Sequence, residues 1–258
     1  LDVFRLSQRT GLLLALLASA GCKDKSPKPE NSDDVAIAIM PSDARPVKMT
    51  PQKERPQHFT FLTAAKDSLL FGDVQGARDS LSWIANQDNQ TPTPEAWKSH
   101  EVELQAVAAE AANSDSIVVL SDSVAKFART CGACHRDQKT APLVNVKEPK
   151  HRGLDFRDHM AGHKWALDKM WAGLATPSDG HWQEGAELLA NAPTHLRSLS
   201  AYGDDADKAM ELATEVHGLA ADATKATKVG ERVRIFGAFL AACAGCHELP
   251  PSMPTKSE

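Results

Sequence analysis

The chain of 258 residues is poor in the patterns that build β-sheets. Runs of β-branched residues are few and Asn-Gly hairpin turns are absent, whereas alanine is abundant. Apolar residues recur instead at helical spacing, as they do at Phe61, Leu62, Ala65 and Leu69. We therefore predict an all-α protein.

The sequence also lacks a basic stripe and a long apolar run. Its formal net charge of -5 carries no positive excess, so nucleic acid is not an expected partner. The apolar stretch at residues 11–20 is too short for a bilayer, which needs about 20 apolar residues, and no other segment reaches that length. We expect no membrane-spanning helix.

Residues 1–21 read as a bacterial signal peptide. Arg5 and Arg9 precede the apolar stretch, which ends in Ser-Ala-Gly followed by Cys22. This ending resembles a lipoprotein processing site, which implies cleavage before Cys22 and acylation of it. Such an anchor predicts the periplasmic side of a bacterial membrane, with the outer membrane favoured because Lys23 rather than aspartate follows. The alternative is an ordinary signal peptide cleaved near Ala20, which leaves Cys22 a spare thiol.

Two further segments have compositions that cannot bury a core. Residues 22–56 mix charged and small polar residues with six prolines and predict a flexible tether between the anchor and the folded part. Residues 250–258 predict a disordered tail.

Four of the five cysteines belong to two copies of Cys-x-x-Cys-His. The copies are Cys131-Gly132-Ala133-Cys134-His135 and Cys243-Ala244-Gly245-Cys246-His247. The spacing is typical of covalent haem attachment, in which two thiols bond the vinyl groups of one haem and the histidine ligates the iron. A single copy also occurs in zinc or redox sites, but two copies favour haem. We predict two haem c groups held by Cys131, Cys134, Cys243 and Cys246, with His135 and His247 as proximal iron ligands.

The sequence around the motifs repeats. Placing Cys131 on Cys243 aligns the two preceding helices of each half without a gap, and the first helices align with Gly72 on Gly173. This pattern predicts a tandem duplication of one four-helix unit. The expected helices are 59–71, 74–85, 95–112 and 116–135, then 156–174, 181–190, 205–223 and 228–247. Asp73 is the candidate N-cap of the helix at 74–85. We expect a first unit at 57–137, a connector at 138–155 and a second unit at 156–249.

Each motif ends the fourth helix of its predicted unit, which resembles the cytochrome c-prime family of c-type cytochromes. The resemblance covers residues 58–135 and 157–247. It implies an up-down four-helix bundle that holds haem between facing helices. It also implies that the residue opposing the iron comes from the first helix. In the family that residue is methionine or histidine in electron carriers, and small and apolar in five-coordinate, gas-binding members.

The candidate distal iron ligands are His58 and His159, which stand at equivalent positions of the two first helices. His163 is a rival in the second unit, because it lies one turn after His159 on the same face. Leu62 stands at the equivalent of His163 in the first unit. If His58 does not reach its iron, that iron would be five-coordinate beneath an apolar residue.

These features predict an electron carrier rather than an enzyme. The expected function is single-electron transfer between redox partner proteins, through two low-spin haems with histidine distal ligands. The alternative is a sensory or gas-binding protein for nitric oxide or carbon monoxide, with at least one five-coordinate haem. A peroxidase would need an open iron and a distal acid-base pair, and no cluster in the sequence indicates one. Bundles of the family often pair through helix faces, so a homodimer stays open.

Overall fold

The computed structural model describes residues 51–86, 94–140, 144–149, 156–192 and 199–249. All of them fall in one compact unit, Lys48–Glu258. The predicted signal peptide, the predicted lipidation site at Cys22, most of the predicted tether and the predicted tail lie outside the described residues.

Eight α-helices and no strand occur in the described part of the chain, which confirms the all-α prediction. The first half contains α1 (Pro51–Leu70), α2 (Val74–Ala85), α3 (Lys98–Ala112) and α4 (Ile117–Asp137). The second half contains α5 (Phe156–Ala175), α6 (Asp179–Ala190), α7 (Ala206–Ala223) and α8 (Val229–His247). Two 3-10 helices, Glu95–Trp97 and Ser200–Asp205, precede α3 and α7. None of these described helices combines the length and hydropathy needed to span a bilayer.

The first helix begins earlier than the sequence predicts. Helix α1 starts at Pro51, inside the segment expected to be tether, rather than at Phe59. Proline fits the first position of a helix because its fixed φ is already helical and its missing N–H would have no partner there. The helix therefore replaces the end of the predicted tether.

Side-chain caps fix the starts of three helices. The Asp73 carboxylate accepts a hydrogen bond from the Gly76 N–H at 2.8 Å, as its position in the sequence predicts for an N-cap. Ser116 and Ser178 cap α4 and α6 in the same way. These caps place the starts of α2, α4 and α6, each of which follows a connection of three or four residues.

Consecutive helices pack against one another within each half, and α4 packs against α8 across the halves. Helix α1 also contacts α8, and α4 also contacts α5. Buried residues of both halves, among them Leu69, Phe127, Trp182 and Phe236, belong to one continuous apolar cluster. The two sequence repeats therefore share a core in this structure.

Helices α4 and α8 run in opposite directions. Gly237 of α8 packs directly on the backbone of Asp122, where a Cβ atom would lie 3.3 Å from the Asp122 Cα. The ion pair between Arg78 and Asp115 keeps the turn after α1 beside the start of α4. That same turn contacts the last residues of α8 at Ala244. The end of α8 thus meets the start of α4.

The two Cys-x-x-Cys-His motifs consequently lie at opposite ends of the α4–α8 pair. With Gly237 opposite Asp122, Cys243 is level with Ser116, fifteen residues before Cys131. Fifteen helical residues at 1.5 Å each span about 22 Å. Each motif packs against the end of the first helix of the other half. Gly132 contacts the Leu174 carbonyl of α5, and Ala244 contacts the turn that ends α1.

Candidate haem sites

The second motif occupies the last two turns of α8. Cys243 and Cys246 are three residues apart in this helix and so lie on one face. Together with His247 they line a cavity of about 970 Å³, counting its open mouth. Helices α5, α7 and α8, the 3-10 helix Ser200–Asp205 and the end of α1 form its walls.

Three histidines line this cavity from α5 and α7, away from the motif helix. The ring centroids of His159 and His163 are 4.1 Å apart on α5. His217 of α7 lies 6.3 Å from His163 with the two rings near perpendicular. The structure therefore brings the predicted distal candidates His159 and His163 into the same cavity as the second motif.

The remaining lining of the cavity is mainly apolar. Leu167, Leu199, Leu212, Val216 and Ala242 contribute side chains, and Met160 and Lys164 complete the α5 wall. A porphyrin needs a flat apolar slot, and its iron needs nitrogen or sulfur ligands on one or both faces. The thiols and histidine on one side, the histidines on another and the apolar walls between them fit a covalently attached haem.

Tyr202 is a cavity residue that the sequence reasoning missed. It is the only tyrosine of the chain and belongs to the 3-10 helix Ser200–Asp205. Its hydroxyl oxygen lies 3.9 Å from the Cys246 sulfur. Burial raises the pKa of Tyr202 to about 12, and the neighbouring Cys246 thiol adds to the shift. The one sequence feature that could have drawn attention to Tyr202 is that the chain contains no other tyrosine.

Burial raises the pKa of three of the four motif cysteines. Burial raises the pKa of Cys131 and of Cys243 to about 12, and the second cysteine of each motif adds to the shift. Burial also raises the pKa of Cys246, although its hydrogen bond with Tyr202 opposes the change. Within the described residues no disulfide joins these cysteines.

The first motif has different surroundings at the end of α4. His135 is half-buried, and its Nδ1 atom is buried without a hydrogen-bond partner among the described residues. Burial lowers the pKa of His135. A metal-ligating histidine usually donates this N–H to a carbonyl, carboxylate or water. No described protein atom supplies this hydrogen-bond partner to the Nδ1 atom of His135.

His58, the distal candidate of the first half, lines a smaller cavity of about 300 Å³. Leu62, Gln105 and Phe127 also line it, but no residue of the first motif does. The His58 ring is 6.0 Å from Trp83 in an edge-to-face contact. The structure thus places His58 near the interior of the first half without bringing it into one cavity with His135.

A cluster of four charges joins α1 to α5 beside the larger cavity. The completely buried Lys66 pairs with Asp67 at 2.5 Å and with Asp168 of the second half. The Lys164 amine lies 2.8 Å from Asp168 and 3.4 Å from Asp67. Burial opposes the charge of Lys164, but Asp168 and Asp67 outweigh it and raise its pKa. The repeat pairs Asp67 with Asp168 in sequence, and in the structure both carboxylates bind the Lys66 amine.

Comparison with known proteins adds no relative. No family profile, curated protein or solved structure matches this chain. The chemistry of both sites therefore rests on their own residues.

Proposed function

We propose that the chain is a dihaem c-type cytochrome that carries single electrons on the periplasmic side of a bacterial membrane. One observation carries the proposal. A Cys-x-x-Cys-His motif lines a mainly apolar cavity, and histidines line the same cavity from other helices. The other copy of the motif, at residues 131–135, extends the proposal to a second haem.

In the second half, Cys243 and Cys246 would hold the haem by adding their S–H groups across its two vinyl groups. His247 would ligate the iron on the proximal side, and His159 or His163 on the distal side. When bound, the haem supplies one-electron chemistry at its iron. The apolar residues of the cavity exclude water, which favours the less charged reduced state and helps to set the potential.

In the first half, Cys131 and Cys134 would hold the second haem, and His135 would be its proximal ligand. His58 is the candidate distal ligand. Because no motif residue lines the cavity of His58, haem binding there would require side chains of α1 and α4 to rearrange. The two irons would therefore differ in surroundings and in potential.

The resemblance to the cytochrome c-prime family extends the proposal to architecture and location. We propose that each half is a four-helix unit that holds one haem. Acylation of Cys22 would anchor the protein to the membrane, with the outer membrane favoured, and place it among periplasmic redox partner proteins. The proposal is compatible with a homodimer that forms through helix faces.

Intact-protein mass spectrometry tests the haem content directly. The full chain is exported in a bacterial host that matures c-type cytochromes, and its mass is compared with that of variants. We expect two covalent haems in the wild type and one in each of the pairs Cys131→Ala/Cys134→Ala and Cys243→Ala/Cys246→Ala. Cys22→Ser is the matched control, because it should keep both haems and lose only acyl mass. A wild type without covalent haem would overturn the proposal.

A gas-binding role is the second candidate, and one observation favours it for the first half. Leu62 is buried and lines the same cavity as His58, so an apolar residue is available above that iron. Exposure of the reduced protein to carbon monoxide separates the two functions. An electron carrier with two histidine-ligated irons should show no rapid spectral change, whereas a five-coordinate iron should bind the gas at once.

A further inference from the structure

The larger cavity is not built by the second half alone. Leu70 and Phe71, from the end of α1 in the first half, line it beside His247. The ring centroids of Phe71 and His247 are 5.8 Å apart, and the planes meet at 79°. This is the edge-to-face geometry that aromatic rings prefer. A residue of the first repeat thus contacts the predicted proximal ligand of the second.

The turn after α1 fixes the position of Phe71. Gly72 adopts a left-handed φ of 74°, and its N–H bonds to the Leu69 carbonyl while that of Asp73 bonds to the Ser68 carbonyl at 2.8 Å. This pair of bonds is the Schellman turn, which ends a helix at a defined residue. A Cβ atom on Gly72 would lie 3.3 Å from the His247 Cβ, so the glycine also permits the close approach.

Phe71 lies at the mouth of the cavity rather than in the core. Half of the residue, 50%, is open to solvent, and His247 is exposed beside it. A single exposed apolar side chain is common on protein surfaces, so the contact with His247 carries the argument. Here the exposed ring covers one side of an exposed histidine.

The first motif has no aromatic ring at the position that corresponds to Phe71. The alignment that places Gly72 on Gly173 places Phe71 on Ala172. Ala172 is buried inside α5, which continues to Ala175 rather than ending at Gly173. Its methyl group offers no aromatic edge to His135. The two motif histidines are therefore distinguished by a residue that comes from the opposite half.

We propose that Phe71 is a positioning residue for His247 in the haem site of the second half. Its ring restricts rotation of the imidazole and shields the histidine from water. Groups that orient a metal-bound histidine tune the metal, and solvent access at a haem lowers its potential. Phe71 therefore raises the reduction potential of this haem. The inference rests on the proposed haem attachment at Cys243 and Cys246.

The experiment uses the full chain with only the second haem, in the Cys131→Ala/Cys134→Ala background. Potentiometric titration and electron paramagnetic resonance compare Phe71→Ala and Phe71→Leu with this background. Phe71→Ala should lower the midpoint potential and shift the resonance signal of the haem, and Phe71→Leu should give a smaller change in potential. Phe59→Ala is the matched control, since Phe59 is an exposed phenylalanine of the same helix outside the cavity.

The outcomes distinguish the inference from the proposed function. An unchanged potential and signal in both Phe71 variants, with haem still attached, would overturn the role of Phe71 and leave the cytochrome proposal standing. Equal changes in Phe59→Ala would overturn it too, because any loss of an aromatic ring would then suffice. Absence of haem from Cys243 and Cys246 in the parent protein would overturn the cytochrome proposal itself. Phe71→Leu keeps apolar bulk and decides the matter if the alanine variant fails to fold.

Discussion

The two halves of the chain place one pentapeptide in two different surroundings. In the second half the motif lines a cavity of about 970 Å³ that His159 and His163 also line. In the first half the nearest candidate, His58, lines a cavity of about 300 Å³ without any motif residue. The comparison teaches that the motif determines where a haem can be attached, whereas the other helices determine what faces its iron.

The two variable residues inside the motifs differ for reasons of packing. Gly132 in the first motif lies against the carbonyl of Leu174, where a side chain has no room. The glycine of the second motif, Gly245, is shifted by one position, and a Cβ there would meet only the Leu212 side chain at 3.6 Å. The contact between the halves therefore explains the glycine at position 132, whereas no such contact requires the glycine at position 245.

The strongest test of the contrast removes the distal histidines of the second half. The double variant His159→Ala/His163→Ala should make about half of the total haem high-spin, because neither ring is left to ligate one of the two irons. Each single variant should keep most of the low-spin signal, since the other ring lies 4.1 Å away. Electron paramagnetic resonance of the oxidised protein measures the fractions.

His58→Ala is the counterpart for the first half. It should add high-spin signal only if His58 ligates the first iron in the holoprotein. A double variant of His159 and His163 that stays entirely low-spin would show that neither histidine is the ligand.

Next in size is the loss of the buried amine that joins the halves. Lys66→Met should lower the free energy of unfolding by about 3 kcal/mol, because it removes two hydrogen bonds between charged groups and leaves Asp67 and Asp168 with Lys164 as their remaining partner. Urea unfolding measures the change. Lys98→Met, which removes an exposed pair with Glu95, should cost no more than about 0.5 kcal/mol. Equal effects of the two substitutions would contradict a special role for Lys66.

A smaller effect is expected from adding one methyl group to each motif. Gly132→Ala should destabilise the protein by about 2 kcal/mol, because the new methyl group overlaps a backbone carbonyl that cannot move alone. Gly245→Ala should be neutral or slightly stabilising, since alanine favours helix and the contact is ordinary. Thermal unfolding of the two variants compares them directly, and the reverse order of stabilities would refute the packing explanation.

The smallest effect is a dependence of stability on alkaline pH. The pKa of Lys164 is raised in the folded state, so its contribution is complete below its ordinary pKa of 10.5 and disappears as pH rises through the folded pKa. As pH rises above about 10.5, the free energy of unfolding should fall less steeply in Lys164→Met than in the wild type. Lys208→Met, at an exposed pair with Glu211, should keep the wild-type slope.

The helices could be predicted because their signals are local. Apolar spacing and the Asp73 cap give Val74–Ala85 at its observed bounds, and the motifs fall at helix ends as the periodicity indicates. The start of α1 at Pro51 could not be predicted, because the same prolines and charges are typical of a linker. Local sequence therefore determines the elements more firmly than their first residues.

The surroundings of the sites depend on contacts between distant residues, which the sequence does not display. Lys66 reads as an ordinary solvated lysine in the sequence, whereas the fold buries it and pairs it with Asp168 of the other half. Phe71 reads as the last apolar residue of a helix, and its contact with His247 joins residues from different repeats. The pairing of His159 and His163 was evident because both lie on one helix face.

The opposite directions of α4 and α8 have a consequence for the route of electrons through the proposed cytochrome. The two motifs lie at opposite ends of this pair, about 22 Å apart along it. Two haems attached there would let electrons enter the protein at one end of the pair and leave it at the other. A donor and an acceptor could then be engaged at the same time, and the order of their potentials would decide which end receives and which end delivers.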